Sequence, residues 1–461
     1  MERKLPEGLL NHIAEIKGFN KQAFEAAHYH PQLITSIRFN EKKYEHFRHS
    51  SAITHPHFSL DKKVPWCEYG FYLDERPRFT FDPLLHAGAY YVQEASSMFL
   101  WNALQQLFNR DANIKVLDLC AAPGGKSTLL ASYFKNALII SNEVIKTRAN
   151  ILYENITKWG AENVIITNND ATGFQRLRNY FDLIVIDAPC SGSGLFRKDE
   201  EAIDEWSENN VKLCSQRQQR IIADIHPSLK HDGILIYSTC SYSQEEDEDI
   251  ADWMKAMFKV ESIRLKVEEN WHVEETQSPV HKCYGYRFWP HTVKGEGFFI
   301  CALQKDEAES FTKFHAPSLS GITGKEMALV QQYITAGDWH FLKQQDFIRV
   351  IPKPWNGDLA LLQKNLYLKK SGINIGEIKG RDLIPHHEFA LSTLFNNNNI
   401  AKMELEEEQA LQYLRKKNVV LPPGHKGWGL CTYNSFPLGW IKILHNRVNN
   451  YYPTEWRIRK E

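Results

Sequence analysis

Short apolar runs alternate with helical patterns through the middle of the chain, between about residues 86 and 303. The apolar runs lie at 114–119, 138–141, 164–167, 181–186 and 233–238. They are rich in isoleucine, leucine and valine, and the gaps between them are long enough for helices. Buried parallel strands joined by crossover helices have this pattern. It therefore predicts an α/β architecture in which a doubly wound, Rossmann-like sheet forms the central domain, 86–303.

Residues 1–85 precede this domain and have a mixed pattern. A helical stretch at 19–27 is followed by a strand-like run at 33–39, which predicts a small α+β domain. The regular alternation is also absent from residues 304–395, where we predict an intermediate α+β domain. Its predicted elements are a helix at 325–335 and short strands near 347–351 and 365–369.

The C-terminal region, 396–461, has a third kind of pattern. Four consecutive asparagines at 396–399 are typical of a linker, and residues 403–417 read as a charged helix. The remainder consists of short strand-like runs rich in glycine, proline and aromatic residues. Such runs predict a small, β-rich, barrel-like module.

Composition narrows the class of protein. The 461 residues carry 55 basic and 56 acidic side chains, which excludes a uniformly basic protein that coats nucleic acid but allows a local basic patch. No apolar run reaches membrane-spanning length, and the N-terminus lacks the apolar core of a secretion signal. The eight cysteines form no CxxC pair, so neither a metal site nor a disulfide framework is expected. We expect a cytoplasmic monomer with free thiols.

A tight turn of small residues follows the first strand of the central domain, from Asp118 to Thr128. Its Gly-Lys-Ser end is similar to a triphosphate-binding loop, but that loop requires glycine where Cys120 stands. The dinucleotide fingerprint GxGxxG is also absent. Small side chains after a parallel strand allow the backbone to approach a ligand closely. Considered alone, this turn could equally well have only a structural role in joining the strand to the helix.

Carboxylates at the ends of the next three strands favour the interpretation that this turn binds a ligand. Glu143 follows the second strand, Asp170 follows the third, and Asp187 ends the fourth. The carboxyl ends of parallel strands meet at one edge of the sheet, so these groups should surround the turn. Carboxylates in such places hold ribose hydroxyls and the adenine amine of adenosyl ligands. We therefore predict S-adenosylmethionine as the cofactor.

Two cysteines also stand at strand ends. Cys190 follows a proline after the fourth strand, where amino-group methyltransferases usually have an aromatic residue, and Cys240 follows the last strand. Carbon 5 of cytosine attacks a methyl sulfonium only after a thiolate has added to carbon 6, so cytosine methylation needs a thiol at the site. A buried cysteine is usually a small core residue. We predict that role for Cys67, Cys214, Cys283, Cys301 and Cys431.

These residues resemble the Nop/Sun family of RNA cytosine-5 methyltransferases. The resemblance runs in order through five segments, which are Ser36–Asn40, Tyr91–Ser97, Asp118–Ser127, Asp187–Gly194 and Ser238–Ser241. It implies that Cys240 is the nucleophile and that Cys190 assists product release. DNA cytosine methyltransferases use the proline-cysteine thiol instead, so this choice rests on the family.

The resemblance also implies the cofactor contacts. They are Cys120, Ala121, Ala122, Pro123, Gly124, Gly125, Lys126, Glu143, Asp170 and Asp187. By the same resemblance Lys126 faces the target base, and Asp187 holds the polar edge of the target cytosine.

Within the family, the C-terminal half resembles the bacterial 16S ribosomal RNA methyltransferase F subgroup, with its terminal PUA-like RNA-binding module. The segments that carry this are Tyr286–His291, Gly295–Phe299, Pro437–Trp440 and Asn449–Pro453. The implied partner is RNA, namely 16S ribosomal RNA or the 30S subunit. Basic and aromatic residues together bind phosphate and stack on bases. We predict RNA contacts at Arg197, Lys442, Arg447, Tyr452 and Arg457.

Two other functions remain open at this stage. The same chemistry on transfer RNA is compatible with every residue named above. A non-catalytic RNA-binding factor for ribosome assembly is the alternative from another class, although binding requires neither thiol. The acidic run from Gln244 to Asp249 is predicted to begin a helix, where carboxylates complement the helix dipole.

Overall fold

A computed structural model describes residues 4–29, 34–44, 61–307, 317, 319–380, 382–419, 426–445 and 447–460. Its strands, in chain order, are β1 (Thr35–Phe39), β2 (Gly70–Leu73), β3 (Tyr90–Val92), β4 (Lys115–Asp118), β5 (Leu138–Asn142), β6 (Val164–Thr167), β7 (Phe181–Asp187), β8 (Leu229–Thr239), β9 (Val260–Ser262), β10 (Glu274–Gln277), β11 (Tyr284–Phe288), β12 (Phe298–Lys305), β13 (Trp339–Gln344), β14 (Phe347–Pro352), β15 (Leu368–Ser371), β16 (Ile373–Lys379), β17 (Asp382–Pro385), β18 (Ala401–Glu404), β19 (Gly427–Tyr433), β20 (Phe436–Ile443) and β21 (Val448–Asn450). The α-helices include Glu7–His12, Lys21–Tyr29, Pro83–His86, Phe99–Leu107, Gly125–Tyr133, Lys146–Trp159, Glu201–Glu205, Glu208–Ile225, Glu248–Met257, Gly324–Gln331, Asn356–Asn365, His387–Leu391 and Glu407–Leu414.

The central sheet has the strand order β10-β11-β12-β8-β7-β4-β5-β6-β15, and β9 pairs with β12. Strands β4 to β8 are parallel, which confirms the predicted doubly wound sheet. Because β4 lies between β5 and β7, the chain winds outward in both directions from it. A crevice therefore opens at the carboxyl ends of β4 and its neighbours.

Alternate residues of these strands belong to different cores, because successive side chains point to opposite faces of a sheet. Val116 and Val185 belong to the core that contains the helices Gly125–Tyr133 and Lys146–Trp159. Leu117 and Ile184 belong to the core of the helices Glu208–Ile225 and Glu248–Met257. Burial on both faces explains why each strand reads as a continuous apolar run.

Two features of the central sheet differ from the sequence prediction. The gap between β6 and β7 contains a short 3₁₀ helix, Ala171–Arg176, rather than an α-helix. Strand β15, which we assigned to the intermediate domain, pairs antiparallel with β6 at the edge of the central sheet. Local periodicity does not reveal which sheet a four-residue strand joins, because that depends on partners far away in the chain.

The N-terminal region forms the three-stranded antiparallel sheet β2-β1-β3. Strand β3 lies beyond the boundary that we predicted at residue 85. The predicted helix and strand appear as Lys21–Tyr29 and β1, and residue 33 of that strand prediction lies outside the described residues. Arg38 of β1 joins this sheet to the central domain: its Nη2 donates to Thr128 Oγ1 over 2.6 Å and its Nε to Gln93 Oε1 over 2.8 Å.

The C-terminal half contains two four-stranded sheets, β13-β14-β16-β17 and β18-β19-β20-β21. They share one core, in which Leu430 and Trp440 of the last sheet pack with Val330 and Phe389. The asparagine-rich segment therefore joins two packed units. The charged helix predicted at 403–417 spans only Glu407–Leu414, because residues 403 and 404 belong to β18. No helix among the described residues is long and apolar enough to cross a lipid bilayer.

Candidate active site

The turn after β4 is built to bring its backbone close to the crevice. Gly124 adopts a left-handed conformation with φ of 118° just before the helix Gly125–Tyr133 begins, a conformation that favours glycine. The Ala121 amide donates to Asn142 O over 2.8 Å, which fixes the turn against β5. Asp118 is fully buried, accepts from Ser127 Oγ over 2.6 Å, and has a pKa that burial raises to about 7.

The predicted strand-end carboxylates surround this turn. Glu143 is buried; its Oε1 accepts from the Ile145 amide over 2.9 Å, while its Oε2 accepts no hydrogen bond and lies 3.5 Å from Arg148. Asp170 is exposed, and hydrogen bonds from the amide and hydroxyl of Thr172 lower its pKa. Both carboxylates thus present acceptor oxygens to the crevice.

Two cavities meet at the carboxyl ends of β7 and β8. One, of about 480 Å³, is lined by Glu143 and Asp170. The other, of about 410 Å³, is lined by Lys126 and also by residues for which the sequence suggested no individual role, namely Tyr91, Glu94, Glu296 and Phe298. Those four residues lie in or beside segments that carried the family resemblance. Asp187 and Cys240 are among the residues that line both cavities, so ligands in the two cavities would meet beside these side chains.

Lys126 and Asp187 form an ion pair at this junction. Lys126 Nζ lies 2.8 Å from Asp187 Oδ2 and 5.1 Å from the centre of the Phe298 ring. Asp187 Oδ1 accepts from Ser238 Oγ over 2.9 Å. The lysine is buried whereas the aspartate is 40% exposed, so the carboxylate remains open to a ligand.

The two strand-end thiols lie side by side. Cys190 Sγ and Cys240 Sγ are 3.2 Å apart, and both cysteines are free and partly exposed. The hydrogen bond with Cys240, together with burial, raises the pKa of Cys190 well above its usual range. The cysteines predicted to be core residues, Cys67, Cys214, Cys283, Cys301 and Cys431, are all buried.

Glu246 joins the two thiol loops, which are the segments after β7 and β8 that contain Cys190 and Cys240. Sequence reasoning missed this residue. Its carboxylate is fully buried and accepts from the hydroxyls of Ser191 and Ser241, the residues that follow the two cysteines. The acidic run does lead into a helix that begins at Glu248, as predicted, but its central members Glu246, Asp247 and Glu248 are buried rather than solvated. The only signal in the sequence was their position immediately after Cys240.

Two of the predicted RNA-binding residues have buried side chains in the structure. The Arg197 side chain is 3% exposed, donates to Gly295 O over 3.1 Å and lies 3.6 Å from Glu296, so it anchors an inner loop. Tyr452 is 1% exposed and packs edge-on against Tyr413 and His387, so its ring belongs to the core in this structure.

The other three predicted RNA-binding residues lie nearer the surface. Arg447 is exposed, whereas Lys442 and Arg457 are partly exposed. Lys442 Nζ lies 5.1 Å from the centre of the Trp428 ring, and that ring is 4.6 Å from the half-exposed Tyr451 ring. Trp428 and Tyr451 are thus the aromatic residues that accompany the basic side chains here.

Known proteins match this chain over nearly its whole length. The family model for 16S rRNA methyltransferase RsmB/F matches residues 105–304, that for the N-terminal domain of RsmF matches 5–95, and that for the RsmF PUA domain matches 400–458. Ribosomal RNA small subunit methyltransferase F of Psychromonas ingrahamii is 34% identical to this chain, and the match covers 85% of this chain and 84% of that protein. The protein of the same name from Aeromonas salmonicida is 30% identical, and the match covers 98% of this chain and 97% of that protein.

Solved structures agree with the fold. A methyltransferase homolog protein from Pyrococcus horikoshii is 28% identical with a TM-score of 0.52, and the match covers 64% of this chain and 93% of that one. The structure of NSun6 from the same organism is 19% identical with a TM-score of 0.52, and the match covers 66% of this chain and 99% of that one. At this identity it supports only the fold.

The doubly wound sheet, the strand-end carboxylates and the C-terminal PUA domain define an RNA methyltransferase. This class accounts for two adjoining cavities, one for a methyl donor and one for a base, that share Asp187 and Cys240 among their lining residues. More particularly, the chain belongs to the ribosomal RNA small subunit methyltransferase F family.

Proposed function

We propose that the enzyme transfers a methyl group from S-adenosylmethionine to carbon 5 of a cytosine in 16S ribosomal RNA, with Cys240 as the nucleophile. One observation carries this proposal: two free thiols 3.2 Å apart lie where a cofactor-sized cavity meets a second cavity. Methylation of a nitrogen or an oxygen needs no thiol at the site, whereas methylation of carbon 5 does.

The residues around the first cavity fit S-adenosylmethionine. Glu143 Oε2, which accepts no hydrogen bond, would take a ribose hydroxyl, and Asp170 would accept from the adenine amine. Cys120 and Ala122 of the small-residue turn line this cavity, whereas Ala121, Pro123 and Gly125 line the second one and Gly124 lines neither. The cofactor would lie against the Cys120 and Ala122 end of the turn. When bound, the cofactor supplies an electrophilic methyl group.

Cys240 provides the nucleophile for the base. Its thiolate would add to carbon 6 with formation of a carbon–sulfur bond, and the ring electrons would move to carbon 5. Carbon 5 would then take the methyl group that the bound cofactor supplies, with S-adenosylhomocysteine as the leaving group. Carbon 5 next loses its proton to a base, the carbon–sulfur bond breaks, and its electron pair returns to Cys240 as the thiolate. The ring regains its aromaticity, and 5-methylcytosine leaves the site.

Cys190 stabilises the sulfur of Cys240. Because its pKa is raised, Cys190 stays a thiol at neutral pH and can donate to a Cys240 thiolate 3.2 Å away. This hydrogen bond favours the thiolate over the thioether adduct. Cys190 therefore assists the step in which the carbon–sulfur bond breaks.

Lys126 and Asp187 would hold the target cytosine by its polar edge. Cytosine presents an amine donor at N4 beside the acceptors N3 and O2. Asp187 is an acceptor and Lys126 a donor, and their paired groups lie in the wall of the second cavity. The base has to leave any stack to reach them, at roughly a few kcal/mol, so an unpaired RNA segment is the favoured target.

The RNA substrate follows from the relatives, whose names specify the small ribosomal subunit. We expect bisulfite sequencing of RNA from a deletion strain to show the loss of one protected cytosine in 16S ribosomal RNA. Loss in a transfer RNA instead would favour the transfer RNA alternative, and no loss in any RNA would favour the assembly factor. Parallel assays on protein-free 16S RNA and on purified 30S subunits identify which form is methylated.

A cytoplasmic enzyme is implied by this substrate. A monomer suffices for the proposed chemistry, because both thiols and all the proposed cofactor contacts come from one chain.

The surface around Lys442, Arg447, Trp428 and Tyr451 would bind RNA outside the active site. In the Lys442→Gln/Arg447→Gln variant we expect weaker RNA binding and an unchanged kcat at saturating RNA. The plot of log affinity against log salt should become shallower by about 1.4, since each phosphate contact with single-stranded RNA contributes about 0.7. Titration of labelled RNA at several salt concentrations measures this slope.

Lys135→Gln is the matched control for that variant. Lys135 is 56% exposed and precedes β5, at the amino end of the sheet, opposite the cavities. Its loss should leave affinity and slope unchanged. An unaltered slope in the double variant would show that this surface does not contact RNA.

A further inference from the structure

Glu246 accepts four hydrogen bonds, three of them from the segments that carry the two thiols and one from the helix Glu208–Ile225. Its Oε1 accepts from the Ser191 amide over 2.8 Å and from Gln218 Nε2 over 3.1 Å. Its Oε2 accepts from Ser191 Oγ over 2.5 Å and from Ser241 Oγ over 2.7 Å. Three of these four donors belong to the residues that directly follow Cys190 and Cys240.

Further bonds tie the same segments together. Gln218 Nε2 also donates to Pro189 O over 3.1 Å, so the residues before and after Cys190 are both held. The Gly194 amide donates to Cys240 O over 2.8 Å. A Cβ at position 194 would lie only 2.7 Å from that oxygen, so a glycine is needed for this approach. The two thiol loops are thus in direct contact, and Glu246 is the buried group that bonds to both.

We propose that Glu246 is the positioning residue that sets the separation of the Cys190 and Cys240 sulfurs, and thereby the rates of both steps in which a carbon–sulfur bond forms or breaks. This inference rests on the proposed covalent mechanism. Glu246 lies behind the thiols and does not line either cavity, so it acts through Ser191 and Ser241 rather than on the substrate.

A carboxylate suits this role because it is an acceptor at both oxygens. Two of its four donors, the Ser191 backbone N–H and the Gln218 Nε2 group, cannot accept a hydrogen bond, whereas the two serine hydroxyls can rotate to accept instead. A glutamine at position 246 can therefore keep all four bonds, with its oxygen toward the amides and its nitrogen toward the hydroxyls. An alanine keeps none of them.

The difference between glutamine and alanine provides the test. We expect Glu246→Ala to slow single-turnover methyl transfer by ~10²-fold, the order of effect of misplacing a reacting group by about 1 Å. KM for RNA and for S-adenosylmethionine should change by less than about threefold, since no binding contact is lost. Glu246→Gln should restore the rate to within about tenfold of the unmodified enzyme.

RNA containing 5-fluorocytidine, which has no carbon 5 proton to lose, reports adduct formation separately on a denaturing gel.

Asp252→Ala is the control for losing a buried carboxylate. Asp252 is buried one turn along the helix from Glu248 and accepts from Ser278 Oγ and from the amides of Val280 and His281, away from both thiols. This variant should unfold at a lower temperature and keep its rate per folded molecule. If Glu246→Ala does not fold, Ser191→Ala/Ser241→Ala removes two of the four bonds and should slow the same step.

Three results would overturn the inference. They are a normal rate in Glu246→Ala or in the double serine variant, equal loss in the alanine and glutamine variants, and equal slowing in Asp252→Ala. Cys240→Ala assayed alongside separates this inference from the mechanism beneath it. An inactive Cys240→Ala with a fully active Glu246→Ala refutes only the positioning role, whereas an active Cys240→Ala refutes the covalent mechanism itself.

Discussion

Cys240→Ala should abolish methyl transfer and leave the fold intact. The thiolate is the group that makes carbon 5 nucleophilic, so its removal eliminates the reaction path rather than a contact that assists it. We expect a loss of at least ~10³-fold in single-turnover rate, as is typical when a nucleophile is removed. Transfer of labelled methyl groups to 16S RNA measures the rate, and thermal unfolding measures the fold.

The control for this substitution is Cys301→Ala. Cys301 is fully buried on β12, in the strand next to the one that Cys240 follows, and burial raises its pKa well above the usual range. It therefore remains an inert thiol, and its loss should lower stability without changing the rate. Substantial methyl transfer by a folded Cys240→Ala enzyme would disprove the assignment of the nucleophile.

Cys190→Ala should trap a covalent complex between the enzyme and RNA. In the proposed mechanism the Cys190 thiol donates to a Cys240 thiolate 3.2 Å away and stabilises it, but would give little stabilisation to a thioether. Its loss shifts the balance toward the adduct and slows the step that breaks the carbon–sulfur bond. We expect RNA to remain attached to the protein through denaturing electrophoresis, with steady-state turnover reduced by ~10²-fold or more.

The double variant Cys190→Ala/Cys240→Ala identifies the atom that holds the RNA. It should retain no RNA, because the nucleophile is gone. RNA that stays attached to the double variant would mean that another residue forms the adduct. Normal turnover and no retained RNA in Cys190→Ala would exclude its role in release, and Cys240 would then have to leave the base unaided.

Residues close to one another in the sequence were predicted well. The parallel strands, the small-residue turn after Asp118 and the carboxylates at strand ends all follow from local patterns, because side-chain periodicity and backbone freedom act over a few residues. The pairing of Cys190 with Cys240 also followed, since the ends of adjacent parallel strands must meet at one edge of a sheet. The structure adds the 3.2 Å separation of their sulfurs.

Residues whose environment depends on distant segments were predicted less well. Tyr452 and Arg197 have the composition of an RNA-binding surface, yet one packs in a core and the other bonds to an inner loop. The acidic run after Cys240 predicts the start of a helix, but it does not show that Asp247 is buried 3.0 Å from Arg287 on β11, forty residues later. A charge is buried only where its partner is supplied, and that partner is not visible in the run itself.

The sequence by itself thus determined the type of sheet, the edge where the candidate site lies and the residue types proposed to act there. Only the tertiary structure decided which charges are buried, which strand completes the central sheet and how the thiol loops are held together. The physical reason is the range of the interactions. Periodicity and turn geometry are local, whereas the bonds from Ser191, Gln218 and Ser241 to Glu246 join segments that meet only when the chain is folded.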